Sequence, residues 1–394
     1  MIISKTNKTN LRILMISPQF HPIIGGYERA AFRLSTALTN QGCTVTVLTE
    51  RRKKNWKKND IINKFQVIRL WCIHKPHLHQ LTTLFSFAIF LLSKGQRYHF
   101  WHVHQYGLIA LLTIILGKCF RKPVVLKLTN SGSQGLEVTC TALPFPKFAK
   151  TILRHVDMVV ALTQETKQEA LKFGIPPDRI TLIGNGIDGG LFHPANSHTR
   201  LWLRKNNDIQ AEGIAIWIGR LRKEKNPEGL LNAWLQAFPR MPKGWKLILV
   251  GEGPLLPVLQ SFIEQHKLHE TVMLVGKQNN VEEWLAMADI YVTTSHNEGL
   301  SNTMLEALAT GLPVIATKVS GVKENIEQTG AGIVVEIGDM NAIGSAFIQL
   351  TQNPNLRKKL GYTGRMIFNQ KFTLTKVATS YQEMYKTILS DNKQ

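Results

Sequence analysis

At 394 residues the chain exceeds the roughly 100–200 residues of a usual domain, so two domains, each with its own buried core, are expected. Hydrophobic residues at 44% and charged residues at 19% exclude a mostly disordered or fibrous protein. The net charge of +21 is carried by one half, with 26 Lys and Arg against 9 Asp and Glu over residues 1–195 and 22 against 18 in the remainder; such a field attracts anionic partners, phospholipid headgroups or nucleic acid.

In chain order, MIISKTNKTNLRILMIS carries no small-residue cleavage pattern and reads as a short tail entering a first strand rather than a signal peptide. LRILMIS, residues 11–17, is the continuous apolar run of a buried parallel strand; a turn-rich PQFHPIIGG and a helical YERAAFRLSTALTNQG follow it. CTVTVLTE at 43–50 reads as a second strand, and KFQVIRLW, FWHVHQ, KPVVLKLT and MVVALT as further ones. RRKKNWKK at 51–58 is the densest basic run, open to three readings: a solvated loop, an anionic membrane contact or a nucleic-acid contact. The apolar segments at 81–92 and 108–116 fall short of the roughly 20 residues that span a bilayer. They are read as buried core helices, with a shallow membrane-contacting face as the alternative.

After a polar, proline-containing stretch near 193–212 the pattern restarts with GIAIWIGRL, a helix at about 227–238, WKLILVGEGP, VMLVGKQ, ADIYVTTS, LPVIATK and GIVVEIG. A linker at 190–200 is expected, giving domains over 1–195 and 196–373, with a last helix near 374–389 able to cross back to the first. Strands alternating with helices imply an α/β protein of two Rossmann-like, doubly wound parallel sheets. The two are expected to face a central cleft lined by the C-terminal ends of their strands.

Cys43, Cys72, Cys119 and Cys140 show no CxxC spacing and no nearby cluster of histidines. Neither a disulfide framework nor a structural zinc site is therefore expected, and a reducing cytoplasm fits best.

The chemistry is carried by a few segments. GIAIWIGR is followed by RLRKEKNPEGL, which sets Arg220 and Lys225 at a strand exit beside a helix start. Two cations on a short loop suit a diphosphate, whose charge grows as a bond to it breaks. In SHNEGLSNTMLEALATGLPVIAT, Glu298 and Glu306 lie eight positions apart across an expected loop-to-helix transition. Gly299, Leu300, Ser301 and Asn302 between them leave backbone N–H groups at a helix N-terminus, a phosphate site. Glu298 is set to accept hydrogen bonds from sugar hydroxyls, and Glu306, about two turns into the helix, from ribose hydroxyls; the alternative makes Glu298 a helix-dipole acid and Glu306 a surface residue. Gly25 and Gly26, between the first strand and helix, permit close approach to a phosphate or sugar or form a plain turn. His102 and His104 alternate on one strand face, as structural histidines or, for His104 at the strand end, as a site residue.

These segments resemble glycosyltransferase family 4. The resemblance rests on the Glu, seven residues, Glu motif in NEGLSNTMLEALATGLPVIAT, on GRLRKEKN, on VGEGP at 250–254 and on the early Gly-Gly, in the family's order along nearly the whole chain. It implies a GT-B fold and retaining transfer from a nucleotide-diphosphate sugar, UDP- or GDP-linked, with no metal or other cofactor required. By the same resemblance Arg220 and Lys225 contact the donor diphosphate, Glu298 the donor sugar and Glu306 the ribose, while Gly251 and Val275 with Gly276 bracket the base. Many relatives carry a histidine at about the position of Thr129, where this chain reads KLTNSGSQG. Lys127, Thr129 and Asn130, with His104, are the acceptor-side candidates, and the departing phosphate can itself take the acceptor proton. A glycan or lipid-linked acceptor in cell-surface polysaccharide or glycolipid synthesis is expected. So is a peripheral position at the inner membrane face, with the basic half on anionic lipid. Nucleic acid is not expected, because it leaves the paired glutamates unexplained. A degenerate, non-catalytic member acting as an assembly partner is the alternative.

Overall fold

The computed structural model describes residues 11–23 and 25–391, so the N-terminal tail expected at 1–10 lies outside the described residues. The chain divides into Met1–Gly186 with Leu374–Gln394, and Ile187–Thr373. The division falls a few residues before the expected 190–200 linker.

In the first unit the apolar run becomes β1 (Arg12–Ile16), whose Ile13, Leu14, Met15 and Ile16 are buried. It is covered on both faces, which is why the run is continuous rather than alternating. The chain continues through α1 (Gly26–Asn40), β2 (Thr44–Glu50), β3 (Asn59–Ile62), β4 (Phe65–Leu70) and α2 (Pro76–Lys94). Next come β5 (Phe100–His104), α3 (Leu108–Cys119), β6 (Val124–Leu128), α4 (Leu136–Thr141) and α5 (Pro146–Leu153). β7 (Met158–Ala161), α6 (Gln164–Lys172) and β8 (Ile180–Leu182) complete the first pass. The eight strands run β3-β4-β2-β1-β5-β6-β7-β8 and are parallel except for the β3–β4 pair. The basic 51–58 run is the loop between β2 and β3, with its four lysines exposed.

The segment 81–92 corrects an expectation. It lies in α2, whose inner face packs Phe87, Phe90 and Leu91 into the core while Leu78, Leu81, Phe85, Ile89 and Leu92 stay exposed, Leu81 at 64% and Phe85 at 63%. A helix apolar on all sides can bury only the side that meets the sheet, and three- and four-residue steps keep the other five on one outward stripe. The 108–116 segment is mostly interior, with Ala110, Leu111 and Ile114 buried in α3.

The second unit opens with α7 (Ser197–Asn206), inside the stretch read as polar, then β9 (Gly213–Ile218), α8 (Pro227–Ala237), β10 (Trp245–Val250), α9 (Leu256–Gln265) and β11 (Val272–Leu274). It continues with α10 (Val281–Met287), β12 (Ile290–Thr293), α11 (Asn302–Thr310), β13 (Val314–Thr317), β14 (Gly332–Val335), α12 (Met340–Gln352) and α13 (Pro354–Lys371). Its six strands are all parallel in the order β11-β10-β9-β12-β13-β14. α7 is held by Asp289, which accepts hydrogen bonds from Arg200, from Arg204 at 2.7 Å and from the Ile214 N–H at 2.8 Å.

The last helix, α14 (Leu374–Asp391), belongs to the first unit and packs on α1. Its Tyr381, Tyr385 and Ile388 are buried in the same core layer as Ile13, Met15 and Leu38.

Candidate active site

In the second unit the chain steps from β9 outward to β10 and β11, then returns to the other side of β9 with β12. The crevice at such a reversal, beyond the carboxyl ends of the strands, is where open α/β sheets bind ligands. The loops after β9 and β12 flank it and are fastened to each other. Thr294 Oγ1 donates to the carbonyls of Lys225 (3.1 Å) and Asn226 (3.0 Å), and the His296 N–H donates to the Glu224 carbonyl (2.9 Å). Asn226, left-handed at φ +49°, caps α8 by accepting from the Gly229 N–H, and Pro227 occupies the first helical position.

Across this joint Lys225 Nζ and Glu298 Oε1 stand 2.6 Å apart, and Ser295 Oγ donates to the other carboxylate oxygen at 3.1 Å. Arg220 is exposed on the same loop as Lys225. Ser301 caps α11, its Oγ accepting from the Met304 N–H at 3.4 Å, so Gly299, Leu300, Ser301 and Asn302 form the entry to this helix. Glu306 is fully buried, which removes the surface reading, and it stands four residues after Asn302, one turn into the helix instead of two. Burial raises the Tyr291 phenol above its ordinary value, and the charges of Glu298 and Glu306 push the same way, which ties both carboxylates to one electrostatic neighbourhood. Tyr291 OH pairs with Thr303 Oγ1 at 2.8 Å.

The glycines of VGEGP are required by close approach. Gly251 has φ +150°, and a Cβ there would lie 1.8 Å from the Gly219 carbonyl oxygen. The Gly251 N–H donates to the Gly276 carbonyl at 2.8 Å and Val275 N–H to that of Leu249, so Gly251, Val275 and Gly276 share the rim formed by the ends of β10 and β11.

In the first unit the reversal lies between β1 and β5. Gly25 caps α1 in an extended conformation and Gly26 is its first residue, so backbone angles alone do not demand glycine at Gly25. Tyr27 OH donates to Asn130 Oδ1 at 2.5 Å, joining α1 to the loop that contains Thr129, both Thr129 and Asn130 being half-buried. Glu169 on α6 fixes that loop by accepting from the N–H groups of Gly132 (2.7 Å) and Leu136 (3.1 Å).

His104 and Lys127 face inward. Lys127 is 2% exposed, its Nζ donates to Asn185 Oδ1 at 2.9 Å, and burial lowers its pKa to about 7. His102 and His104 stack at 4.6 Å as the alternation predicts; His102 Nδ1 lies 2.6 Å from Tyr385 OH, and burial lowers its pKa to about 3. Burial also holds His104 well below its usual range.

Two features were missed from the sequence. A pocket of about 420 Å³ sits at the reversal of the first sheet, between Glu50 at the end of β2, Gln105 and Tyr106 after β5, and His79 and Thr83 on α2. And Cys72, read as lacking histidine neighbours, lies with His74 and His79 because the exit of β4 and the first turn of α2 converge; its C-x-H-x4-H spacing was the available signal.

The two doubly wound units have the GT-B fold. Known structures of that class match: the Anabaena Alr3699/HepE complex with UDP covers 96% of this chain and 100% of its own at a TM-score of 0.78 and 17% identity. A Thermosynechococcus elongatus sucrose-phosphate synthase covers 97% of this chain and 100% of its own at 0.79 and 20%. The family model for glycosyl transferases group 1 matches residues 200–366, and that for glycosyltransferase family 4 matches residues 24–189. The chain belongs to glycosyltransferase family 4. Among curated relatives it is similar to N-acetyl-alpha-D-glucosaminyl L-malate synthase of Bacillus anthracis, 29% identical over 61% of this chain and 62% of that protein. It is also similar to the putative glycosyltransferase EpsD of Bacillus subtilis, 27% identical over 59% and 62%. These matches thus span less than two thirds of the length of those relatives. A more extended match is the UDP-Gal:alpha-D-GlcNAc-diphosphoundecaprenol alpha-1,3-galactosyltransferase of Escherichia coli, 22% identical over 88% of this chain and 89% of that protein.

Proposed function

We propose that this protein is a retaining glycosyltransferase that uses a nucleotide-diphosphate sugar, UDP- or GDP-linked, without a metal at the donor. The observation that carries the reading is the Lys225–Glu298 contact of 2.6 Å on the two loops flanking the reversal of the second sheet, with Glu306 buried one turn into α11. Lys225 and Arg220 would neutralise the diphosphate as it departs, which stabilises the transition state more than the ground state. Glu298 would hold sugar hydroxyls and Glu306 the ribose. The bond from the anomeric carbon to the diphosphate breaks, the bond to the acceptor oxygen forms on the same face, and the acceptor proton passes to the departing phosphate. A protein base is then unnecessary, and Thr129 and Asn130 serve by hydrogen bonding.

A lipid-linked acceptor at an anionic membrane surface is part of this reading. It draws on the α2 stripe of Leu78, Leu81, Phe85, Ile89 and Leu92, on exposed Lys75 and Lys94 at its two ends, and on the basic 51–58 loop. An apolar stripe flanked by cations lies in the interface plane of a bilayer. Among the described residues no helix is long and apolar enough to cross a membrane. A position at the cytoplasmic face is part of the same proposal.

The test is a thermal-shift panel of UDP-, GDP- and ADP-sugars in chelator, on the wild type and on Arg220→Ala. A bound donor at 100 times its Kd stabilises by about 2.7 kcal/mol. A shift with one nucleotide, lost in the variant, fits the reading, whereas no shift with any of them favours a degenerate member. Vesicle cosedimentation of wild type and Phe85→Glu tests the membrane contact; binding indifferent to anionic lipid and to the substitution refutes it.

A further inference from the structure

We propose that Cys72, His74 and His79 form a binding site for a zinc-class divalent cation in the first unit, apart from the donor chemistry. One ligand atom from each of the three lies within 4.8 Å of the others, and Cys72 Sγ is 3.9 Å from His74 Nε2. Zinc–sulfur and zinc–nitrogen bonds of about 2.3 and 2.0–2.1 Å put neighbouring ligands of one tetrahedral ion roughly 3.5 Å apart, so closing the site needs side-chain adjustment alone. The two imidazoles stack with centroids 5.7 Å apart. A thiolate with two imidazoles is a borderline-soft set that suits zinc and disfavours magnesium or calcium.

The surroundings supply what such a site needs. Glu50 is buried, with Oε2 3.2 Å from His79 Nε2, so a carboxylate orients that ring as carboxylates do for metal-bound histidines. Arg52 Nε donates to the same oxygen at 3.1 Å and holds it in place. His74 Nε2 also lies 3.2 Å from the Arg51 carbonyl, a contact the ion would replace. Cys72 is buried while His74 is exposed, which gives an ion an entry path and leaves one coordination position for water. On binding, the thiol proton leaves to solvent and one sulfur–metal bond forms, with no change of oxidation state.

The ion would do mechanical work. Cys72 follows β4 and His79 is in the first turn of α2, so one cation ties the sheet to the helix that carries the exposed apolar stripe. His79 and Glu50 also line the 420 Å³ pocket, so the tie sets its rim. The sequence spacing alone would be a weak signal; convergence of the three side chains, one of them oriented by a buried carboxylate, gives it weight.

The experiment uses the full chain, stripped of metal, loaded with Zn²⁺, desalted and assayed for zinc, with Co²⁺ as the optical probe. The wild type is expected to retain one zinc per chain and to show a thiolate-to-cobalt charge-transfer band. Cys72→Ser abolishes the band, Cys119→Ser at an exposed cysteine elsewhere keeps it, and Glu50→Gln weakens zinc binding by about 10–100-fold. His79→Gln, at a partly exposed position, provides a second ligand deletion should Cys72→Ser fail to fold. A wild type that retains no zinc, or a band that survives Cys72→Ser, overturns the proposal. Donor thermal shifts report on the second unit, so failure here is distinguishable from failure of the transfer reading.

Discussion

Gly251→Ala tests whether close backbone approach at the ends of β9 and β10 is a structural requirement. A Cβ at this position would stand 1.8 Å from the Gly219 carbonyl oxygen. Ordinary non-bonded contacts begin near about 3.5 Å, so the two loops would have to part by roughly 1.7 Å. That displacement breaks the Gly251 N–H to Gly276 bond of 2.8 Å and the Gly219 N–H to Val250 bond of 3.0 Å. Each bond contributes about 1 kcal/mol net, and a side chain at φ +150° adds about 1–3 kcal/mol of backbone strain, for a total loss of roughly 3–5 kcal/mol. For a unit of this size each kcal/mol moves Tm by about 2–4 °C, so a fall on the order of 10 °C is expected in the transition reported by the buried Trp217 and Trp234. Gly276→Ala is the control: its φ of +69° is strained for alanine, yet its Cβ would meet nothing within 4 Å, so only about 1–2 kcal/mol is expected. Equal transitions for the two variants, or a Gly251→Ala protein as stable as the wild type, would refute the contact argument.

Glu298→Gln keeps the shape and the Ser295 bond but loses the charge facing Lys225; initial rates should fall by about 10²–10³-fold while the unfolding free energy from urea titration changes by only about 1 kcal/mol. Lysine in the unfolded chain titrates near 10.5 and Lys127 in the fold near about 7, so the folded state binds fewer protons between those values. Its neutral form therefore confers stability that is fully present above pH 10.5 and is lost as pH falls to about 7, a span worth roughly 4–5 kcal/mol. Lys127→Met should remove that slope in urea unfolding at pH 7, 8.5 and 10, and an unchanged slope would show the lysine charged in place. Asp289→Ala strands Arg200 and the mostly buried Arg204, so a loss of about 3–5 kcal/mol is expected by chemical denaturation, against a negligible change for exposed Glu336→Ala.

Where strands were fully covered, the sequence was legible. Ile13 to Ile16 and Ile214 to Trp217 are buried runs that no helix period explains, and both became central strands. β3 escaped because its residues are half-exposed at a sheet edge and carry no apolar run, and α7 because its anchoring side chains are arginines whose partner, Asp289, lies more than 80 residues away. The Glu298–Glu306 segment was readable because cap, helix and strand follow one another locally. Contact between Lys225 and Glu298 was not, since it needs β9 and β12 to be neighbours across an intervening β10 and β11. Apolar composition of 81–92 suggested a core helix, but composition cannot say how many sides of a helix find a partner.

The charge asymmetry accords with the proposed roles of the two units. In the proposed donor site, the pairing of Lys225 with Glu298 would hold the cation in place and cancel its field locally until a diphosphate arrives. Such pairing keeps cations and carboxylates near balance, as the 22 against 18 beyond residue 195 has it. Residues 1–195 hold 26 Lys and Arg against 9 Asp and Glu, and the lysines of the 51–58 loop and those at the two ends of α2 are exposed. Unpaired surface charge of that kind acts through the long-range field and is screened by salt, whereas the Lys225–Glu298 pair, being partly buried, is screened much less. Raising ionic strength should therefore weaken association with anionic vesicles well before it weakens donor binding, and parallel loss of both would mean that one electrostatic surface serves the two.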